Sequence, residues 1–159
     1  MSAISTPPSP GFSRRTLLAA SAAGLALLVA GCSSPPADQR EQVTSKQADA
    51  LAAQVAVQST LVAAFKAAGV ADPALAAAVG ELASQADAQL TRLKAASPGS
   101  SGSPAAAPSV GPDARGWLRA QVAAAADSHA AAAVDQSGAR AALLGSIAAG
   151  LRGQDGRLA

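Results

Sequence analysis

The chain has 159 residues, half of them apolar but only 2% aromatic, and carries a formal charge of +2. That length holds one domain beside a targeting segment, and the lack of any alternating run of Val, Ile, Thr and Phe excludes a sheet. The positive balance sits in residues 1–31, which contain Arg14 and Arg15 and no acid. The rest has ten basic against ten acidic side chains and only Phe65 and Trp117 as aromatics, so it offers neither a charged stripe nor a stacking platform for nucleic acid.

Taken in chain order, the first element is an export signal. Ser13-Arg14-Arg15-Thr16-Leu17-Leu18 leads into an uncharged run from Ala19 to Gly31, shorter than the roughly 20 residues a membrane span requires. The paired arginines after a serine resemble the twin-arginine (Tat) signature, with Leu17 where that signature prefers Phe. Val29-Ala30-Gly31-Cys32 follows and resembles the lipobox of bacterial lipoproteins. Small residues there fit a peptidase cleft, and the Cys32 thiol accepts a diacylglyceryl group through a thioether. Two acyl chains anchor stably at about 0.8 kcal/mol per buried methylene. As the only cysteine, Cys32 leaves no disulfide, CxxC site or cysteine-based zinc site. Residues 32–37, with Pro35 and Pro36, read as the lipidated tether.

The mature part is dominated by alanine, 46 residues over the whole chain, which favours helices that approach closely. A first helix is expected from Asp38 to Ala68, with Leu51, Val55, Val62 and Phe65 on one face and Gly69 as its stop. Asp72-Pro73 supplies a cap and a first-turn proline for a second helix to about Ala96, with Leu75, Val79, Leu82, Ala86, Leu90 and Leu93 inward. The brief connection predicts a helical hairpin over 38–96. Residues 97–112, reading SPGSSGSPAAAPSVGP, lack charge and periodicity and read as a flexible linker. A second hairpin is expected over 113–159. Its first helix runs from Asp113 to about Val134 with Trp117, Leu118, Val122 and Ala125 inward. After a break at Gln136–Gly138, its second starts near Ala139 with Leu143, Leu144, Ile147 and Leu151, and four glycines, Gly145, Gly150, Gly153 and Gly156, predict a frayed end.

The expected fold is therefore all-α, an antiparallel four-helix bundle of two hairpins. Continuing each inner stripe by steps of three and four places one polar residue per helix inside: Gln58, Gln89, His129 and Gln154. Ferritin-like bundles hold metal at such positions with carboxylates and histidines, and Leu61–Leu93 with Ala139–Leu158 resembles a small ferritin-like family of actinobacterial lipoproteins of unknown function. The resemblance implies a di-metal centre, whereas this chain offers three neutral amides and its only histidine, so no catalytic, cofactor or metal residue is assigned. Ser128 beside His129 forms no hydrolase pair, because adjacent helical positions point apart. The expectation is a non-enzymatic lipoprotein on the outer face of the cytoplasmic membrane, anchored through Cys32. It would serve as a structural or protein-binding bundle whose partner is another extracytoplasmic helical protein. The alternative is a degenerate ferritin-like binder of a metal or small molecule.

Overall fold

The structure, a computed structural model, describes residues 43–100 and 109–159. The segments expected to form the signal peptide, the lipobox with Cys32 and the tether, and the centre of the expected linker, lie outside the described residues. Four helices make up the described fold, with no strand among those residues: α1 Ser45–Ala71, α2 Pro73–Ala96, α3 Ala114–Val134 and α4 Gly138–Leu158.

Capping explains most of the boundaries. The Thr44 hydroxyl accepts from the Gln47 amide while the Gln47 side chain accepts from the Thr44 amide, a reciprocal box that satisfies two otherwise unpaired donors at the start of α1. Asp72 serves two helices. Its own N–H closes α1 onto the Ala68 carbonyl at 2.9 Å, and its carboxylate receives the amides of Ala74 and Leu75 at 3.0 and 3.1 Å to open α2. Asp72→Ala should therefore lower stability by about 1 kcal/mol, read as a shift in the urea midpoint without a change in slope. Asp113 caps α3 through Gly116, and Gly138, at φ +54°, takes the left-handed backbone that turns the chain into α4.

Two expectations about glycine change. α1 does not stop at Ala68 but continues through Gly69 to Ala71. A Cβ on Gly69 would stand 3.0 Å from the Cβ of Ala76, so this glycine lets α2 pack close against α1, and Asp72-Pro73 ends the helix instead. α4 runs to Leu158 despite its four glycines, because Leu151, Gln154 and Leu158 are all buried against the other helices. Packing outweighs the per-residue glycine penalty of about 0.5–1 kcal/mol.

The helices close a ring. α1 packs on α2 and α3, and α4 packs on the same two, so a single core is shared by all four. Its centre is formed by Leu51, Val55, Leu93, Leu118, Val122 and Leu151, each essentially excluded from solvent, with alanines such as Ala64, Ala68 and Ala86 filling the close contacts. Val62, Trp117 and Leu143 lie at its margin, only partly buried.

Among the described helices, α1 alone is long and apolar enough to cross a membrane. Its partners assign it to the core. Gln54, Gln58 and Ser59 on α1 are buried, and the two glutamines bond to side chains of α2 and α3.

Candidate functional site

An alanine-rich helix has little shape of its own, so what fixes one such helix against another is where its polar side chains find partners. Gln58, near the middle of α1, is fully buried and engages two helices at once. Its amide nitrogen donates to the Ala86 carbonyl at 2.9 Å and to Gln89 Oε1 at 3.1 Å, both on α2. With both amide protons committed, its oxygen accepts at 2.9 Å from Nε2 of His129, on α3 and equally buried. That bond fixes the tautomer: the proton of the neutral imidazole lies on Nε2, and Nδ1 is a buried lone pair with no partner among the described residues.

Burial alone drives the His129 imidazole down from its ordinary 6.5 to about 4, since no charged group stabilises its protonated form. At neutral pH it is a hydrogen-bond donor held in place, not a proton carrier.

Gln58, Gln89 and His129, three of the four interior polar residues read from the stripes, thus form one connected cluster. Gln154 does not join it. Its amide donates to Gln85 Oε1 at 3.3 Å, one helical turn before Gln89 on α2, and its own oxygen is buried without a partner. Gly150, one turn before Gln154 on α4, occupies the level of the cluster instead. A Cβ there would come within 3.1 Å of Gln89 Nε2, so the missing side chain makes room for that amide. Replacing Gln154 by Leu removes a weakly bonded buried amide and leaves exposed Gln85 to water. The variant should match or exceed the natural protein in thermal midpoint by up to about 1 kcal/mol of stability, and a clear fall in midpoint would show that the Gln85 bond is strong.

Two further bonds link α1 to α3 and to the connection that follows it. Ser128 Oγ donates to Gln54 Oε1 at 3.2 Å, and Gln136 Nε2 donates to the Gln47 carbonyl at 3.0 Å. Neither was legible from the stripes. Gln54 immediately precedes Val55, and a helix gripped by two neighbours buries an arc wider than one stripe. The sequence signal available was the run of small residues around Gln54, which lets both neighbours come close.

A di-metal centre of the ferritin-like kind needs carboxylates and imidazoles facing one another to balance the metal charge. The cluster offers neutral amides and one imidazole whose proton-bearing nitrogen is already bonded, and no group of three His, Cys, Asp or Glu gathers anywhere among the described residues. The residues do not fit that group.

Outside the core, Arg119 pairs with Asp155 at 2.9 Å and Arg157 with Glu81 at 3.2 Å, linking α4 to α3 and α2. The Asp155 carboxylate raises the Arg119 guanidinium above its already high value, and these exposed pairs orient helices more than they stabilise them. Between α1 and α3 lies a shallow groove of about 400 Å³ lined by Ala56, Val57, Leu61, Ala124, Ala125 and Ser128, among others.

The described residues form a helical bundle with a central cluster of cross-helix amides around one neutral histidine. Comparison with protein families, with curated proteins and with solved structures finds no match to this chain.

Proposed function

We propose that the protein is a Tat-exported lipoprotein, held on the outer face of the cytoplasmic membrane by lipid on Cys32, whose helical bundle is a non-catalytic structural or protein-binding module. The observation that carries the second half is the way Gln58 is used: every hydrogen-bonding position of its amide that reaches α2 or α3 is spent on another helix. Such a residue sets the register of smooth, alanine-rich helices, as one buried polar residue does in a coiled coil. A reactive centre would leave a nucleophile, an acid or a metal-binding set facing open space. Here the imidazole proton is engaged, and the hydroxyl of the adjacent Ser128 is bonded to Gln54.

The reading includes an antiparallel, ferritin-like course of the chain, and the cross-helix contacts support it. Along each packed pair the residue numbers run in opposite directions: Gln47 to Gln136 and Gln54 to Ser128 between α1 and α3, Arg119 to Asp155 and Asp127 to Arg152 between α3 and α4. Gln58 to Gln89 and Gly69 to Ala76 do the same between α1 and α2, as do Glu81 to Arg157 and Gln85 to Gln154 between α2 and α4. These orders make α2 and α3 parallel across the diagonal. The end of α2 and the start of α3 then lie at opposite ends of the bundle, as a ferritin-like fold with one long crossover requires. A helix of this length rises about 35 Å, and the 16 residues at 97–112 can reach about 50 Å.

The test is gentle extraction from native membranes after mild crosslinking. One stoichiometric protein partner supports the module, whereas a protein that stays monomeric and alone counts against it. The alternative, a small-molecule binder, draws on the apolar α1–α3 groove, whose volume suits a modest organic ligand. An organic molecule that remains bound in native mass spectrometry would favour it.

A further inference from the structure

The hydrogen-bonded cluster at Gln58 makes no use of the groove between α1 and α3. That groove encloses about 400 Å³ and runs about 10 Å along α3, from Gln121 to Ser128. Leu61 and Ala125, both buried, form its floor, and its walls are the half-buried Ala56 and Val57 of α1 and the exposed Ala124 of α3. Alanine causes the furrow: facing methyl groups are too short to fill the space above the core. None of the lining side chains is charged or aromatic. α1 carries no charged residue between Asp49 and Lys66, and the two charged residues of α3 at this level, Arg119 and Asp127, pair with Asp155 and Arg152 of α4. Thr60 and Ser128 spend their hydroxyl protons on the Ala56 carbonyl and on Gln54 Oε1. Gln121, at the end of the groove, makes no hydrogen bond among the described residues.

These walls select their occupant. A charged molecule would lose its hydration along the groove and meet no opposite charge there, and a flat ring would find no aromatic face to stack on. A second copy of the chain brings no ridge to fill the furrow. The exposed large apolar side chains among the described residues, Val43, Val70 and Val134, stand at or beside the ends of α1 and α3. We propose that the α1–α3 groove binds a neutral aliphatic chain lying along the helices, with a terminal hydroxyl or ester group met by the Gln121 amide. The inference rests on the small-molecule reading above and names the class of molecule. Slim, flexible methylene groups follow a furrow walled by alanine and valine, and each one fully withdrawn from water gains about fourfold in affinity, or about twofold in a groove open on one side. The Gln121 amide has both a donor and an acceptor to offer a neutral oxygen group.

The experiment titrates the full 159-residue chain with the straight-chain alcohols from 1-butanol to 1-decanol and follows the methyl resonances of Ala56, Val57, Leu61 and Ala124. These methyls should shift saturably, with Kd falling about twofold for each added methylene until the chain outgrows the groove. Ala124→Leu and, from the opposite wall, Ala56→Leu should each weaken 1-octanol by about tenfold or more by filling the furrow, while Ala149→Leu, on the exposed side of α4, leaves it unchanged. Gln121→Ala should weaken it by about threefold to tenfold without altering the dependence on chain length. Shifts that never saturate, that spread evenly over the four helices, or that survive both wall variants overturn the site. A groove that answers to no alcohol, in a protein that still retains an organic molecule in native mass spectrometry, overturns the aliphatic assignment and leaves the small-molecule reading standing. With no alcohol bound and nothing retained, both fall. Shifts of the same methyls with protein concentration alone, or a partner protein crosslinked to these walls, would put protein in the groove and overturn the proposal as well.

Discussion

Acidification from pH 7 to pH 4 should remove about 3 kcal/mol of stability from the bundle through one imidazole. The folded-state pKa of His129 is lowered to about 4 from an ordinary 6.5, so between those values the unfolded chain takes up a proton that the folded chain refuses. The contribution of this group is complete above pH 6.5, drains away as pH falls toward 4, and changes no further below that. A shift of this size, at about 1.4 kcal/mol per unit, is a large share of the 5–15 kcal/mol that holds a small domain together. Urea midpoints measured at half-unit steps should fall across this window. In a His129→Gln variant, which keeps a donor for Gln58 but cannot titrate, the fall should flatten. An equal fall in both proteins would assign the acid sensitivity to other groups.

The second large effect concerns Gln58. Gln58→Leu leaves the His129 Nε2 proton buried without an acceptor and deprives Gln89 of its donor, at a cost of about 2–4 kcal/mol. The Ala86 carbonyl contributes little to that figure, since it keeps its bond within α2. The informative protein is the double variant Gln58→Leu with His129→Leu, in which neither partner is left orphaned. Its loss should be smaller than the sum of the two single losses by about 1–3 kcal/mol, as expected of groups that act as a unit. Strict additivity would mean that the two side chains do not depend on each other. The double variant is also expected to fold less uniquely, visible as broadened amide resonances, because near the centre of α1 the Gln54–Ser128 bond would then be left to distinguish one register of small apolar residues from the next.

The sequence made the apolar layer readable because Leu, Val and Ile mark an inner stripe even when alanine surrounds them. Leu75, Val79, Leu82, Ala86 and Leu93 all lie in the core. Gln58, Gln89 and His129 were found on the same argument, each lying three or four positions from a stripe residue. Gln54 and Ser59 were not, because alanine lets two neighbouring helices close around α1 and bury residues beside the stripe as well as on it, and Gln136 lies beyond the end of α3, where no stripe reaches. Gln154 shows the limit of stripe reasoning. Periodicity says which face a residue occupies but not at what height it meets its neighbours, and one turn of offset gives it Gln85 as partner in place of the cluster. Gly69 was misleading for a related reason. A glycine near a helix end reads as a stop, while the space that Ala76 takes up can be recognised only once α2 is in position. Thr44 and Gln47 carried a readable start signal, a Thr followed three residues later by Gln, which the stronger proline and acid pattern upstream obscured.

The proposed function rests on Cys32, since lipid there would place the bundle at the membrane. Intact mass of the protein purified from its own membranes, together with that of Cys32→Ser, tests it most directly. The account predicts a mature chain beginning at Cys32, heavier than the bare polypeptide by a diacylglyceryl group, and an uncleaved, unlipidated precursor for the serine variant. A natural protein with a free Cys32 thiol, or with its N-terminus at any other residue, would contradict it.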